Sequence, residues 1–252
     1  MAKIALITGA TSGIGEACAH LFAREHYSLI LTGRRLDRLE KLAKKLNTKY
    51  NTEIAVSSFD VRNREEVTSN LEGLPAKWKK INVLINNAGL SQGLDPIQKG
   101  SYDDWDTMID TNIKGLLYVS KVVSNWMVEN KFGHIVNLGS IAGKEVYPNG
   151  NVYCATKHAV DALNKAMRID LLPYGIKVTG VHPGAVETEF SEVRFKGDKD
   201  RAKKVYDGFE PLVADDIAET IWFAVSRPAH VNINDMVVMP TAQANAGTIF
   251  RS

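Results

Sequence analysis

The sequence predicts an α/β protein built on one doubly wound parallel sheet of about seven strands flanked by helices. Three observations carry this. Short apolar runs recur along the chain, and most are followed by a segment with helical spacing. The first run leads straight into a glycine-rich turn and a helix. No linker composition, repeat or low-complexity stretch divides the 252 residues, which therefore read as a single domain, 1–252.

Residues 4–8, Ile4-Ala5-Leu6-Ile7-Thr8, form a short apolar run, the pattern of a strand covered on both faces. Gly9-Ala10-Thr11-Ser12-Gly13-Ile14-Gly15 follows, then a helix to about residue 25. Glycines let backbone N–H groups approach a phosphate, and a helix N-terminus adds partial positive charge. The spacing is G-x-x-x-G-x-G, and a tight turn without a ligand is the competing reading. Residues 28–32 make a second strand, ending at Gly33-Arg34-Arg35 before a helix to about residue 47. No acid stands there to hold a ribose 2′-hydroxyl. Two guanidinium groups suit a 2′-phosphate, so Arg34 and Arg35 point to NADP over NAD. Otherwise they are cations solvating a helix start.

Residues 54–58 form a third strand leading to Asp60 and Val61. Asp60 is placed to accept from an adenine amino group while Val61 packs the ring. Capping a helix from about residue 63 is an equal reading of this loop. A fourth strand, 83–86, runs into Asn87-Ala88-Gly89, where small residues admit backbone to a cofactor ribose. The asparagines can also stitch the sheet. Residues 101–130 have a long helical pattern with Asn112 inside it, a poor mid-helix residue, and Gly115 close by. Periodicity alone turns Asn112 toward solvent. A fifth strand, 134–138, ends at Gly139-Ser140. Residues 152–172 are a helix, and a sixth strand, 177–181, ends at His182-Pro183-Gly184. Residues 185–208 have no clean period and many charges, as in a mobile functional loop with short helices. A helix at 215–225 and a strand at 236–239 complete the sheet, and 241–252 is a tail.

Lys+Arg 31 against Asp+Glu 29 gives no basic excess for nucleic acid. Cys18 and Cys154 make neither a metal-ligand spacing nor a disulfide framework, and the histidines show no paired spacing. No metal is assigned. The first strand begins too early for a signal peptide, and no apolar run is long enough to span a bilayer. These features fit a reducing, cytoplasmic setting.

Tyr153 and Lys157 stand four residues apart in the helix 152–172, so both leave one face. A phenol beside an ammonium can act as an acid near neutral pH. A surface aromatic–cation pair is the alternative.

Together and in order, Thr8-Gly9-x-x-x-Gly13-x-Gly15, Asn86-Asn87-Ala88-Gly89, Asn112, Ser140, Tyr153-x-x-x-Lys157 and Pro183-Gly184 resemble the short-chain dehydrogenase/reductase family over essentially the whole chain. Gly33-Arg34-Arg35, Asn151-Val152-Tyr153, the run from Glu189 to Asp198 and His230-Val231-Asn232-Ile233 resemble its NADP-dependent 3-hydroxy acid dehydrogenase branch. Members of that branch are also described as serine or allo-threonine dehydrogenases and malonic semialdehyde reductases. The resemblance implies a Rossmann-like fold that binds NADP(H) through Gly9, Thr11, Ser12, Gly13, Ile14, Gly15, Arg34, Arg35, Asp60, Val61, Asn87, Ala88 and Gly89. Hydride would pass between the nicotinamide and a carbinol or carbonyl carbon. Tyr153 would be the general acid/base, and Lys157 would lower its pKa and hold the nicotinamide ribose. Ser140 would hold the substrate oxygen against Tyr153, and Asn112 a water joining Lys157 to solvent. Pro183, Gly184, Val186 and Thr188 would line the carboxamide.

On the expected lid, 185–208, Arg194 and Lys196 are candidates for a substrate carboxylate, or else solvated loop charges. A homotetramer is implied by the family, and the tail beyond Pro240 is a candidate to cross to a neighbouring subunit. Two rival readings stand beside a dehydrogenase of small 3-hydroxy acids. One is a 3-ketoacyl-carrier-protein reductase. The other is a non-catalytic NADP(H)-binding sensor, against which the complete set Asn112, Ser140, Tyr153 and Lys157 speaks.

Overall fold

Seven strands form one parallel sheet in the computed structural model, which describes residues 2–252. They are β1 (Ile4–Ile7), β2 (Ser28–Gly33), β3 (Ile54–Ser58), β4 (Val83–Asn86), β5 (His134–Leu138), β6 (Lys177–Pro183) and β7 (Asp235–Val238). Their spatial order is β3-β2-β1-β4-β5-β6-β7, with every pairing parallel. The winding reverses between β1 and β4, and loops leaving their C-terminal ends part there to open a crevice.

The helices are α1 (Gly13–Arg24), α2 (Leu36–Tyr50), α3 (Arg64–Glu72), α4 (Tyr102–Ile109), α5 (Leu116–Asn130), α6 (Asn151–Leu171), α7 (Phe190–Arg194), α8 (Lys199–Lys204) and α9 (Ala214–Val225). Strand side chains alternate between faces, which is why both faces demand apolar residues. Ala5, Ile7, Leu29 and Leu31 pack with α1, α2 and α9. Leu6, Ile30 and Leu84 face the other way, onto Val67 and Leu71 of α3 and Val119, Val123 and Met127 of α5. Leu6 has no exposed surface, so truncating it to alanine would cost about 2–5 kcal/mol. On the first face, edge-to-face rings of Phe22, Tyr27 and Trp222 fix α1 against α9, with centroids 5.1 to 5.9 Å apart.

Several boundaries differ from the sequence reading for identifiable reasons. β6 runs to Pro183 because β7 pairs with it there, Pro183 opposite Val238. Helix α3 is capped by Asn63, whose Oδ1 accepts from Glu66 N at 3.2 Å. The stretch 101–130 is α4 and α5 joined by a six-residue π-helical turn, Asp110–Gly115. Such turns often occur at functional sites.

Segment 185–208 holds α7 and α8, and leaves the sheet through a bridge between Val186 and Leu212. The tail folds back over this segment of its own chain. Gln243 Oε1 accepts from Ala185 N at 2.8 Å, Arg251 Nη2 donates to the Val205 carbonyl at 3.0 Å, and Ser252 N donates to Gly208 O at 2.9 Å. No helix among the described residues is long and apolar enough to cross a membrane.

Candidate active site

A cleft of about 320 Å³ opens over the C-terminal ends of β1, β4 and β5. Its floor is the glycine turn. Gly9 and Gly13 take left-handed φ values of 66° and 54°, which only glycine adopts freely. Ser12 precedes α1 in an extended conformation and makes no side-chain cap, and its hydroxyl accepts from Arg35 Nη2 at 3.0 Å instead. A helix start without a side-chain acceptor, lined by glycines, fits a pyrophosphate. Gly9, Thr11, Ser12, Gly13 and Ile14 line the cleft, but Gly15 does not. A Cβ on Gly15 would stand 2.3 Å from the Gly9 carbonyl oxygen, so this glycine serves the packing of α1 on the turn.

At one end, Arg34 and Arg35 line the wall. Arg35 donates to Thr11 Oγ1 at 2.7 Å and to Glu189 Oε2 at 3.1 Å, and Arg38 donates to Glu189 Oε1 at 2.8 Å. Sequence reasoning missed Glu189 and Arg38, since they meet across 151 residues. Burial pushes the Glu189 carboxyl up, but its bonds to Arg38 and Arg35 outweigh that and hold it below its usual range. Asp60 and Val61 also line the cleft. Asp60 takes a two-point grip from Arg62, at 2.9 and 2.6 Å, and the helix cap it shared the loop with is Asn63. Burial raises the Asp60 carboxyl, and the bonds from Arg62 more than reverse this.

Asn87, Ala88 and Gly89 form the middle wall. Asn87 Nδ2 donates to the carbonyls of Thr8 and Gly9 at 2.9 and 3.1 Å, so it stitches β1 to β4 beneath the cleft. A Cβ on Gly89 would meet Asn112 Oδ1 at 3.2 Å and Lys157 Nζ at 3.5 Å, so these two groups lie directly against this wall. Asn112 is 2% exposed and lies behind this wall. The solvent-facing position that periodicity alone suggests is not the one it takes: the π-turn rotates it inward, as its expected place in the site requires, and its amide also donates to Thr156 Oγ1 at 3.0 Å.

Helix α6 and the end of β5 bring Tyr153, Lys157 and Ser140 into the cleft. The Ser140 hydroxyl accepts from Ala142 N at 3.1 Å and lines the cleft together with the Tyr153 phenol. Lys157 Nζ donates to the Leu138 carbonyl at 2.9 Å and lies 6.0 Å from the centre of the Tyr153 ring. Burial raises the Tyr153 phenol above its ordinary value, opposed by the Arg194 guanidinium and the Ser140 hydroxyl. Burial pushes the Lys157 ammonium down to about 8. Pro183, Gly184, Val186 and Thr188 complete the far wall, with the Thr188 methyl 3.2 Å from where a Gly13 Cβ would lie.

The two expected anion-binding cations part company. Arg194 reaches the site: its guanidinium lies 5.2 Å from the ring centres of both Tyr153 and Phe190. It donates to Ser91 Oγ at 3.1 Å and to the Tyr147 hydroxyl at 2.8 Å. Burial raises the Tyr147 phenol despite Arg194 beside it, so that hydroxyl stays protonated. Lys196 does not reach the site. Past the end of α7, at a left-handed φ of 53°, it turns outward to pair with Asp104 Oδ1 at 2.9 Å, its side chain 61% exposed. Ser91, Tyr147 and Phe190 gave no signal in the sequence, because they lie in loops or on a one-turn helix without period.

Residues 3–199 match the short chain dehydrogenase family, and the chain belongs to it. It is 46% identical over 245 residues to the NADP-dependent 3-hydroxy acid dehydrogenase YdfG of Salmonella typhi, covering 97% of each chain. It is also 46% identical over 245 residues to sulfoacetaldehyde reductase 2 of Chromohalobacter salexigens, covering 97% of this chain and 96% of the relative. Among solved structures, the closed form of a serine dehydrogenase complexed with NADP+ superposes with a TM-score of 0.92 at 44% identity, over 99% of both chains.

Proposed function

We propose that this chain is an NADP-dependent oxidoreductase acting on the hydroxyl or oxo group of small 3-hydroxy acids of the serine, allo-threonine and 3-hydroxypropionate type. One observation carries the substrate class. A guanidinium, Arg194, is fastened over the ring of Tyr153, so an acid group held by it would keep a neighbouring hydroxyl at the Tyr153–Ser140 pair. The names of the similar proteins support the reading, since 3-hydroxy acids and sulfoacetaldehyde share a small anionic skeleton.

The residues present fit the cofactor: the uncapped glycine turn suits its pyrophosphate and Arg34 and Arg35 its 2′-phosphate. NADP, when bound, supplies the hydride acceptor in oxidation and NADPH the donor in reduction. Tyr153 takes the hydroxyl proton in oxidation and returns it in reduction. Ser140 holds the reacting oxygen by a hydrogen bond that strengthens as charge develops there. Lys157 supplies donors for ribose hydroxyls and, when protonated, favours the phenolate of Tyr153. Asn112 fixes the loop behind Lys157. Segment 185–208 acts as a lid that carries Arg194 to the substrate. Arg194 ties Ser91 to Tyr147 behind Tyr153, which favours small acids over acyl groups on a carrier protein.

We read the working form as a cytoplasmic homotetramer. Exposed Tyr102 and Leu117, on the helices either side of the Asn112 turn, are apolar surfaces that association would cover. A panel of 3-hydroxy acids, neutral alcohols and acyl-carrier substrates, assayed with NADP and NAD, tests the function. The reading requires turnover with the free acids and NADP, and its loss in Tyr153→Phe with cofactor binding kept. Acyl-carrier activity without free-acid activity would replace it with the reductase reading.

A further inference from the structure

Outside the cleft, where the start of β7 lies beside β6, four charged side chains and an imidazole converge. Lys144 Nζ donates to Asp161 Oδ1 at 2.7 Å and also to Asp235 Oδ2. Lys165 donates to the other Asp161 oxygen at 2.6 Å. The fully buried His182 lies with Nε2 3.0 Å from Asp235 Oδ1 and 3.8 Å from Asp161 Oδ1. Two carboxylates and an imidazole are a set that a divalent metal accepts. Here the ammonium of Lys144 already stands between the carboxylates and bonds both.

The three elements joined at this ammonium are those that build the reacting end of the cleft. Lys144 closes the short turn Ile141–Gly143, which starts from Ser140. Asp161 is one helical turn beyond Lys157 on the same face of α6. Asp235 opens β7, whose pairing with β6 sets the register of Pro183. The Ser140 turn itself is wedged tightly. A Cβ on Gly143 would stand 2.5 Å from the Lys157 carbonyl oxygen, and one on Gly139 would stand 2.3 Å from His182 Nδ1. Such close glycine contacts set how near the turn can come but supply no directional hold; the Gly139 N–H supplies one before Ser140, donating to the Val181 carbonyl at 2.7 Å, and Lys144 supplies one after it, with its side chain 22% exposed and Asp161 12%.

We infer that Lys144 is a positioning residue for the reaction: by tying the turn after Ser140 to Asp161 on α6 and Asp235 on β7, it fixes the Ser140 hydroxyl relative to the Tyr153–Lys157 face. This rests on the roles proposed above for Ser140 and Tyr153. Angstrom-scale displacement of a group that orients the reacting oxygen costs as much as about a hundredfold in rate.

The test compares wild type, Ser140→Ala, Lys144→Met and the double variant, measuring kcat for hydroxy acid oxidation and the dissociation constant of NADPH. Lys144→Met is expected to lower kcat by about ten- to a hundredfold and leave NADPH affinity unchanged. Lys144→Arg should restore most of the rate. In the Ser140→Ala background, Lys144→Met should cost nothing further, because the group it positions is gone. An equal loss in both backgrounds, or Lys144→Arg no better than Lys144→Met, overturns the inference. Full turnover in Ser140→Ala alone would instead overturn the underlying reading of the site, and the inference with it. Should Lys144→Met fail to fold, Asp235→Asn at the rim of the cluster gives the same comparison.

Discussion

Asn112 and Leu90 exchange two hydrogen bonds. The Leu90 N–H donates to Asn112 Oδ1 at 2.9 Å, and Asn112 Nδ2 donates to the Leu90 carbonyl at 2.8 Å. The side chain thus pairs with a loop backbone as a neighbouring strand would, and it fastens the chain just after Gly89. The π-turn makes this possible by rotating one residue of a long helix into the wall of the cleft.

Asn112→Ala leaves the buried Leu90 N–H and carbonyl without these partners. We expect a loss of about 1–3 kcal/mol of stability and a fall in turnover larger than the change in NADPH affinity. Urea unfolding and steady-state kinetics measure the two. Unchanged stability would show that water replaces the amide at no cost.

Lys157 makes folding depend on alkaline pH. Its ammonium falls from an ordinary 10.5 to about 8 on burial. Between those values the unfolded chain binds more protons than the folded one, so stability rises with pH across that window. The burial penalty is fully present below pH 8, is relieved as pH rises, and amounts to something on the order of 3 kcal/mol. Denaturation at pH 7.5 and at pH 10 should show this rise in the wild type but not in Lys157→Met. Parallel curves for the two proteins would refute it.

Arg194→Met keeps the stem that lies over Tyr153 and Phe190 but removes the charge. A charge-assisted bond contributes roughly 1.5–3 kcal/mol, so KM for a 3-hydroxy acid should rise about ten- to a hundredfold. Activity on a neutral alcohol should change little. Lys196→Met, whose charge is engaged by Asp104, should leave KM as it was. Equal effects at the two positions would mean that the acid group is held elsewhere.

Glu189 occupies two guanidinium groups beside the expected 2′-phosphate position. Glu189→Gln should tighten NADPH by up to about fivefold and leave NADH unchanged, the modest size following from exposed ion pairs in water. Alanine at both Arg34 and Arg35 should weaken NADPH far more than NADH. Fluorescence titration with both cofactors measures each, and a parallel loss of both would remove the arginines from phosphate recognition.

The strands were legible because both sheet faces are covered, which forces apolar runs such as Ile4 to Ile7 and Val83 to Ile85 into view. The glycine turn was legible because left-handed backbone at Gly9 and Gly13 favours glycine. Periodicity taken alone turned Asn112 outward because it assumes an uninterrupted α-helix, and only the family resemblance placed that residue in the site. Arg194 and Lys196 looked alike, two residues apart on one loop. What separates them is a helix end and a positive φ at Lys196, and neither leaves a mark in composition. Tyr147, Ser91 and Glu189 were invisible because each works through a partner far along the chain.

The tail's grip on segment 185–208 sets an order of events during synthesis. The phosphate-binding turn and the first four strands leave the ribosome early. Gln243, which holds Ala185, and Arg251, which holds Val205, are made only after all of these. A nascent chain can therefore assemble its nucleotide seat while the roof over the substrate still lacks its fastening. That fastening waits on the segment that contains Gln243 and Arg251. A fusion partner attached after Ser252 would sit against that roof instead of hanging free of the enzyme.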